Sequence, residues 1–402
     1  MSADLYLISI FLGFGNVTRA GRVLSRMSHK IYVVAGEVSG DTHGAELMGA
    51  LSHQLSEVEF RGLGGPKMGG VKGAMIPDWI DDAAVMGYVE VLKRYSWFKE
   101  KLEKAVEEVI EWQPDVLLLV DYPGFNLRLA KKVRSDCPNT KIVHYVAPQV
   151  WAWNQRRIPQ IVASHDLMLC LFPFEVSCFE NAGLKAVCPG HPLIDELEEK
   201  RISGERDELL VGLFPGSRLR EVTRLFPLML EVAQDIHSKG YRVRFVSAAA
   251  GEKVEKVMRE ELEKSALPEG LVRIQLGESQ ELMQKVGSGI VASGTATLEA
   301  AYYGMPYCLV YGVGWATYLL ARQVIKVPHI GLINILAGQE LAPEFIQNDA
   351  NVYEVSHWLG GMLLDPEARR AHGRILASAA SKLGEPGVHL RAAKAISDLL
   401  NS

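Results

Sequence analysis

Two short polar turns in the second half of the chain have residue types that suit a diphosphate. One is Ser293-Gly294-Thr295, which ends the apolar run GIVAS (289–293) and precedes a predicted helix. The free N–H groups and the positive dipole end of such a helix attract an anion. Glu299, one turn into the helix, would accept hydrogen bonds from ribose hydroxyls, as acidic residues do in other nucleotide sites. The alternative is an ordinary Ser/Thr helix cap followed by a first-turn acid.

The other turn is PGSR (215–218), directly after the predicted strand LLVGLF (209–214). A Pro-Gly turn at Gly216 presents Ser217 and Arg218, and the planar guanidinium of arginine makes charge-assisted hydrogen bonds to phosphate. A plain surface turn is the alternative, but two such turns at strand ends of one domain support each other. Neither turn matches G-x-x-x-x-G-K-[ST] or G-x-G-x-x-G, so P-loop ATPases and NAD enzymes are disfavoured.

A glycine-rich turn in the first half, AGEVSGDTHGA (35–45), has the composition of a loop that faces a hydroxyl group. Its glycines, Gly40 among them, permit close backbone contact with an acceptor. Glu37 and Asp41 would repel a phosphate, but either carboxylate could act as a general base toward a neutral hydroxyl. We interpret His43 as a structural residue at the start of a helix.

The segment DYPGFN (121–126) follows another predicted strand, VLLLV (116–120). Asp121 is a candidate general base at the point where the sheet meets a cleft, and an Asp that caps the next turn is the alternative. Asn126 is predicted to contact the acceptor.

Aromatic and basic residues in two further segments suit an acceptor with acyl chains and a phosphate. Trp151 and Trp153 are predicted to share one face of an extended piece and to line a sugar or acyl site, with Arg156 meeting the phosphate. The alternative is that both tryptophans belong to the core.

The segment 86–101 mixes apolar, aromatic and basic residues. Its residues Met86, Val89 and Leu92 are predicted to contact lipid, because this mixture is typical of a segment lying on an anionic membrane surface. Core packing is the alternative here too.

Short β-branched apolar runs alternate with helix-length stretches throughout the chain, which predicts parallel strands buried on both faces. The fold class is therefore α/β, with two doubly wound domains facing each other across a cleft. We place the first domain at 27–200, the second at 201–375 and a last helix at 376–402. Residues 1–26 are predicted to be a non-native or disordered extension, since Met27 directly precedes the first strand pattern.

Composition limits the function classes. A net charge of -5 argues against nucleic acid as the main partner. The five cysteines include no C-x-x-C pair and are interpreted as buried thiols in a reducing compartment. No metal or other cofactor is expected.

Taken in order, these segments resemble lipid-A-disaccharide synthase, a GT-B-type glycosyltransferase. The resemblance implies two Rossmann-like domains, the second binding UDP, and a last helix that crosses back to the first. It also implies an inverting, metal-independent transfer at the cytoplasmic face of the inner membrane by a peripherally associated enzyme. The donor would be UDP-2,3-diacylglucosamine and the acceptor 2,3-diacylglucosamine 1-phosphate (lipid X); a homodimer is predicted by analogy. The segments that carry the resemblance are AGEVSGDTHGA, GLGGPKM (62–68), VMGYVEVL (85–92), DYPGFN, PQVWAW (148–153), FPFE (172–175), PGHPL (189–193), PGSR, SGTATLE (293–299) and NILAGQELAPEFIQ (334–347).

Two positions depart from the family pattern. Some members have a second acid where this chain has Gly124, and that acid is favoured as essential there. Asp121 is therefore our first candidate for the base, with Asp41 and Glu37 behind it. Many members have Arg where this chain has Gln339, so a phosphate contact at that position is not carried over. Asn334 does match and is assigned to the donor cleft.

Two other functions remain possible at this point. One is another GT-B-fold enzyme that uses UDP-N-acetylglucosamine, either a transferase or an epimerase. The other is a catalytically inactive sugar-nucleotide sensor, in which both diphosphate turns would be retained. Turnover separates the sensor from an enzyme, and the tryptophans and the basic apolar segment favour a lipid acceptor over an epimerase.

Overall fold

The computed structural model describes residues 28–83, 94–312 and 328–402. These residues form two parallel sheets, as the alternation of apolar runs and helix-length stretches predicts. Met86, Val89 and Leu92 lie outside the described residues, so their predicted lipid contacts stay a prediction.

The first sheet has the strand order β3-β2-β1-β4-β5-β6-β7. Its strands are β1 (His29–Ala35), β2 (Val58–Leu63), β3 (Ala74–Met75), β4 (Val116–Val120), β5 (Lys141–Tyr145), β6 (Leu167–Leu169) and β7 (Ala186–Val187). The helices that accompany them are α1 (Val38–Gln54), α2 (Pro66–Gly69), α3 (Ile80–Ala83), α4 (Tyr95–Trp112), α5 (Pro123–Asp136), α6 (Val150–Trp153), α7 (Ile158–Ser164), α8 (Pro173–Glu180) and α9 (Leu193–Glu199).

The second sheet has the order β10-β9-β8-β11-β12-β13. Its strands are β8 (Asp207–Phe214), β9 (Arg244–Ala249), β10 (Val272–Leu276), β11 (Val286–Ala292), β12 (Tyr307–Tyr311) and β13 (Glu344–Ile346). The helices are α10 (Leu219–Ser238), α11 (Glu252–Lys264), α12 (Ser279–Lys285), α13 (Ala296–Tyr302), α14 (Leu332–Ala337), α15 (Val352–Leu364), α16 (Pro366–Ala380) and α17 (Val388–Leu400).

Both sheets have the same topological switch point, at which the strand order reverses direction. In the first sheet β1 pairs with β2 on one side and with β4 on the other, and in the second β8 pairs with β9 and β11. Open parallel sheets bind ligands at the carboxyl ends of strands on either side of such a reversal. The fold therefore places candidate sites after β1 and β4 in one domain, and after β8 and β11 in the other.

Helices cover both faces of each sheet, and the last helix completes the first domain. Ala392, Ala393, Ile396 and Leu399 are buried in the cluster that also contains Ile31 of β1. The chain thus returns from the second domain, and α17 packs against α1.

Part of the segment predicted to lie on a membrane packs inside the protein. Trp97 stacks on the buried Trp79 with ring centroids 5.9 Å apart, and Phe98 meets Trp97 edge-on at 4.9 Å. For these two aromatic residues the structure favours the core alternative, because their partners belong to the hydrophobic cluster under α4. Within the described ranges, no helix is both long and apolar enough to cross a bilayer.

Candidate functional site

The two predicted diphosphate turns meet at the edge of the second sheet. The turn PGSR follows β8 and the turn Ser293-Gly294-Thr295 follows β11, and these strands are hydrogen-bonded neighbours. Together they line a cavity of about 290 Å³. Seven of the predicted donor residues line it, namely Gly216, Ser217, Arg218, Ser293, Gly294, Thr295 and Glu299.

Glycine is required in both turns by the backbone conformation. Gly216 has φ 100° and Gly294 has φ 142°, a region that residues with a Cβ rarely adopt. At Gly216 a Cβ would also lie 2.6 Å from an oxygen of Glu221. These conformations bend the chain sharply after each strand and allow the backbone to approach a ligand closely.

The N-terminus of the helix after Gly294 is not capped by a side chain. Thr295 occupies the N-cap position, but its side chain makes no capping hydrogen bond. Thr297 instead donates its hydroxyl to the Gly294 carbonyl at 2.7 Å, which fixes the turn from behind. The alternative of an ordinary Ser/Thr cap is therefore not what the structure has. The N–H groups of Thr297, Leu298 and Glu299 donate to the carbonyls of Gly294 and Thr295, which leaves those of Gly294, Thr295 and Ala296 for a ligand.

Charged side chains of both signs surround the cavity. Arg218 is 71% exposed and pairs with Glu221, with 3.1 Å between Nη1 and Oε1. Burial, and next the charge of Glu196, raises the pKa of Glu299 to about 6. An arriving anion would compete with Glu221 for Arg218. No sequence pattern singles out Glu221 as this partner.

Small residues from neighbouring strands extend the same cavity. Ala248, Ala249 and Ala250 at the end of β9, with Gly277 after β10, line it beside the two turns. The sequence interpretation missed them, since alanines at a strand end carry no chemical signal of their own.

Asn334 does not lie in this cavity, contrary to the donor assignment. Its Nδ2 donates to the Ala342 carbonyl at 2.7 Å and to Glu344 Oε1 at 2.8 Å. Its Oδ1 accepts from the backbone N–H groups of Leu341 and Ala342. A fully buried amide with this many internal bonds holds the 341–344 loop against α14 and has no donor left for a ligand.

On the first domain, Asp121 and Glu37 follow β4 and β1, which are neighbouring strands. Asp121 and Tyr122 both have φ 49°, a left-handed conformation that is unusual for two successive non-glycine residues. Burial, and next the charge of Glu37, raises the pKa of Asp121 from 3.8 to about 6. A strained backbone carrying a carboxylate that titrates near neutral pH is typical of a functional site. Tyr122 donates its hydroxyl to the Ala83 carbonyl at 3.0 Å. The sequence interpretation missed this residue, because a backbone dihedral angle cannot be predicted from its residue type.

Asp41, the second candidate base, is fully engaged in a structural role. Its Oδ1 accepts from the N–H groups of Gly65 and Met68 at 2.9 and 3.0 Å, and its Oδ2 accepts from Lys67 N–H at 3.0 Å. These bonds satisfy the free N–H groups at the start of α2. With Asp41 buried at 3% exposure, the geometry favours Asp121 and Glu37 over it.

Two residues assigned to the acceptor site stabilise the backbone around that site. Asn126 is fully buried, and its Nδ2 donates to the Asp121 carbonyl at 2.7 Å and to the Val120 carbonyl at 3.3 Å. A Cβ on Gly40 would lie 3.3 Å from Ala35 Cβ, so glycine here lets α1 approach the sheet. Asn126 fixes the strained turn at Asp121, and neither residue is placed to bind an acceptor directly.

The tryptophan segment is helical, and the prediction of an extended piece is wrong. Trp151 and Trp153 both belong to the single helical turn α6, and the side chain of Trp153 lies outside what the structure describes. Trp151 is buried and donates Nε1–H to Glu175 Oε1 at 2.8 Å, which is the core alternative. Arg156 lies in the exposed 3₁₀ turn Gln155–Arg157 and is accessible to a ligand phosphate.

Glycine at position 124 is not demanded by packing. A Cβ there would meet nothing within 4 Å, so a larger side chain would project into open space at the first turn of α5. The backbone could therefore carry the acid that some family members have at this position. What this chain lacks is the carboxylate itself.

The chain is similar in sequence to proteins of one family. A family model described as lipid-A-disaccharide synthetase matches residues 31–382. The lipid-A-disaccharide synthase of Syntrophus aciditrophicus (strain SB) is 36% identical over 376 residues, covering 91% of this chain and 96% of that protein. That of Geobacter sulfurreducens is 36% identical over 386 residues, covering 93% and 98%.

Solved structures share the architecture at low sequence identity. The S. aureus MnaA-UDP co-structure has a TM-score of 0.60 at 12% identity and covers 93% of this chain and 97% of that chain. A UDP-GlcNAc 2-epimerase from Neisseria meningitidis bound to UDP-GlcNAc has a TM-score of 0.57 at 12% identity, with 93% and 100% covered. At these identities the likeness shows the fold alone, and it confirms the predicted two-domain α/β fold of the GT-B type.

Proposed function

This chain belongs to the lipid-A-disaccharide synthase family, and from that premise we propose how its residues divide the work of that reaction. The reaction joins 2,3-diacylglucosamine, carried by UDP, to 2,3-diacylglucosamine 1-phosphate. The products are the β-1,6-linked disaccharide phosphate and UDP. Nothing in the comparisons favours an epimerase or an inactive sensor.

We propose that the cavity between the two turns of the second domain holds the UDP moiety. The observation that carries this proposal is the open N-cap at Thr295, beside Arg218 on the neighbouring loop. Backbone N–H groups and a guanidinium supply fixed positive charge toward the diphosphate, whose negative charge grows as it leaves. Arg218 then leaves its ion pair with Glu221 and pairs with the diphosphate. This interaction is strongest in the transition state, where the diphosphate carries more negative charge.

The rest of the nucleotide extends from the diphosphate along the same cavity. We assign the ribose hydroxyls to Glu299, a half-buried carboxylate in the first turns of α13. The alanines after β9 leave room for the flat uracil ring. Hydrogen bonds from ribose would stabilise the ionised form of Glu299, which burial disfavours in the free protein.

Asp121 is the proposed general base, assisted by Glu37. A pKa of about 6 leaves Asp121 ionised at the pH of a cell while making it a stronger base than an exposed aspartate. It would take the proton from the acceptor 6-hydroxyl as that oxygen attacks the anomeric carbon. Attack from the side opposite to UDP inverts the configuration at that carbon, in a single displacement that releases UDP.

The acylated substrates require contact with a lipid phase, and we propose peripheral association with the cytoplasmic face of the inner membrane. Support comes from the substrates themselves and from the apolar and basic composition of 86–101. A homodimer stays a prediction, which light scattering of the purified protein would test.

The direct test is to incubate purified protein with both acylated substrates and to follow products by mass spectrometry. We expect the disaccharide phosphate and UDP in equal amounts. The anomeric configuration of the product, read from its NMR coupling constant, tests inversion separately. Absence of any disaccharide with substrates that a characterised family member converts would refute the assignment.

A further inference from the structure

The last helix is attached to the first domain through a polar junction, in addition to its apolar face. Asp195 of α9 accepts hydrogen bonds from the N–H groups of Gly387 and Val388, and so caps the start of α17. The next residue, His389, contacts His43 and Glu46 of α1. Three segments that are distant in sequence therefore converge on one small volume.

The ligand atoms of His43, Glu46 and His389 all lie within 4.8 Å of one another. His389 Nε2 is 3.1 Å from Glu46 Oε2, and His43 Nδ1 is 3.9 Å from the same oxygen. The two imidazole rings are stacked, with centroids 5.9 Å apart. Two nitrogens and one carboxylate oxygen thus lie close enough together to serve as ligands of one ion.

Both converging nitrogens are buried without a hydrogen bond. His43 Nδ1 and His389 Nε2 are shielded from solvent, and although both lie near Glu46 Oε2, at 3.9 and 3.1 Å, neither makes a well-directed hydrogen bond; the side chain of His389 is only 9% exposed. Buried polar atoms in native proteins are nearly always satisfied, and an unpaired one calls for a physical explanation such as a bound ion.

The opposite nitrogen of His389 already has the partner that metal-binding histidines commonly use. His389 Nδ1 lies 3.4 Å from Asp195 Oδ2. A carboxylate at this position fixes the tautomer and directs Nε2 toward the metal. The same carboxylate caps α17, so orientation of the ligand is tied to docking of the helix.

We propose that His43, Glu46 and His389 form a binding site for Zn²⁺ that fastens the last helix to α1. Two imidazoles and a carboxylate are a ligand set typical of zinc, with water in the fourth position. Tetrahedral ligation at about 2.0–2.1 Å needs ligand atoms about 3.3 Å apart. Rotation of Glu46, whose side chain is 52% exposed, can shorten its 3.9 Å separation from His43, and rotation of His43, which is 28% exposed, can bring the two nitrogens together. The site shares no residue with the nucleotide cavity, and the inference does not rest on the proposed function.

The test uses the untagged, full-length protein, stripped of metal with a chelator and dialysed. We expect isothermal titration with Zn²⁺ to give one tight site per chain and the ion to raise the midpoint of thermal unfolding. Cobalt(II) should bind at the same site and show the visible absorption of four-coordinate cobalt with nitrogen and oxygen ligands.

The substitution Glu46→Gln removes the charged ligand at an exposed position, and His389→Ala removes the buried one. Each should abolish the tight site and the thermal shift, while Asp195→Asn should weaken zinc binding by about 10- to 100-fold. His53→Ala, on the exposed end of α1, is the matched control and should bind zinc like the wild type. A far-UV circular dichroism spectrum like that of the wild type shows that each variant is folded. The inference is overturned if the wild type takes up no stoichiometric zinc, or if Glu46→Gln binds it as tightly as the wild type does.

Discussion

Replacing the proposed base should make the protein more stable as well as inactive. Asp121 is ionised at pH 7.5 although burial and Glu37 both oppose that charge, so the folded state carries an electrostatic cost at this residue. Asp121→Asn keeps the size and removes the charge. We expect the free energy of unfolding to rise, while turnover falls by about 10²- to 10⁴-fold through loss of the base.

The size of the stabilisation follows from the pKa. A rise from 3.8 to about 6 corresponds to about 3 kcal/mol at 1.36 kcal/mol per pKa unit. The folded state holds the proton more tightly than the unfolded chain, so wild-type stability falls as pH rises from about 4 to 6. The advantage of Asp121→Asn should therefore be absent below pH 4, grow through this window and stay constant above it. Its full value is an upper bound, equivalent to roughly 6–12 °C in melting temperature.

Urea unfolding of both proteins at pH 4, 5, 6 and 8 measures this directly. The exposed Asp136, at the far end of α5, is the matched control, and Asp136→Asn should change stability by less than about 0.5 kcal/mol. A stabilisation of Asp121→Asn that does not depend on pH, or none at all at pH 8, would show that the carboxylate is not under strain. The argument for Asp121 as a tuned base would then fail.

Three further outcomes follow from the geometry of the two halves. Glu37→Gln removes a charge that raises the pKa of Asp121, so the acidic limb of the pH profile of kcat/KM should move to lower pH; an unmoved limb would contradict the coupling. Arg218→Ala should weaken UDP binding by about 10- to 100-fold in calorimetry, as loss of a charged hydrogen bond does, whereas the exposed neighbour Arg220→Ala should not. Gly294→Ala, at φ 142°, should lower both UDP affinity and melting temperature, and normal UDP affinity would remove this turn from the site.

The strands that could be predicted from the sequence are those whose own residues carry the pattern. The run VLLLV predicts β4 to the residue, because a strand buried on both faces is apolar throughout. The strand β2, VEFRGL, has polar residues within it and was missed, as were the two-residue edge strands β3 and β7. Strands that depend on their neighbours more than on their own composition carry little local pattern.

In the candidate site too, residues with a local sequence pattern could be predicted, and residues placed by tertiary contacts could not. The turns at Gly216 and Gly294 could be paired from sequence, because carboxyl ends of adjacent parallel strands share one edge. Asn334 could not be placed, since its four bonds to the 341–344 loop are tertiary. The role of Trp151 likewise depends on Glu175, a buried acid on another helix whose pKa burial raises to about 7.

The return of the last helix has a consequence for how the protein is made. Synthesis proceeds from the N-terminus, yet four apolar residues of Val388–Leu400 complete the core of the first domain. That domain therefore emerges from the ribosome with an open apolar groove beside α1, and the groove stays open until the second domain has been synthesised. Domains usually fold one after another as they emerge. Here the first to appear is the last to be completed, so a premature stop in the final turns would leave both domains present and the earlier one unfinished.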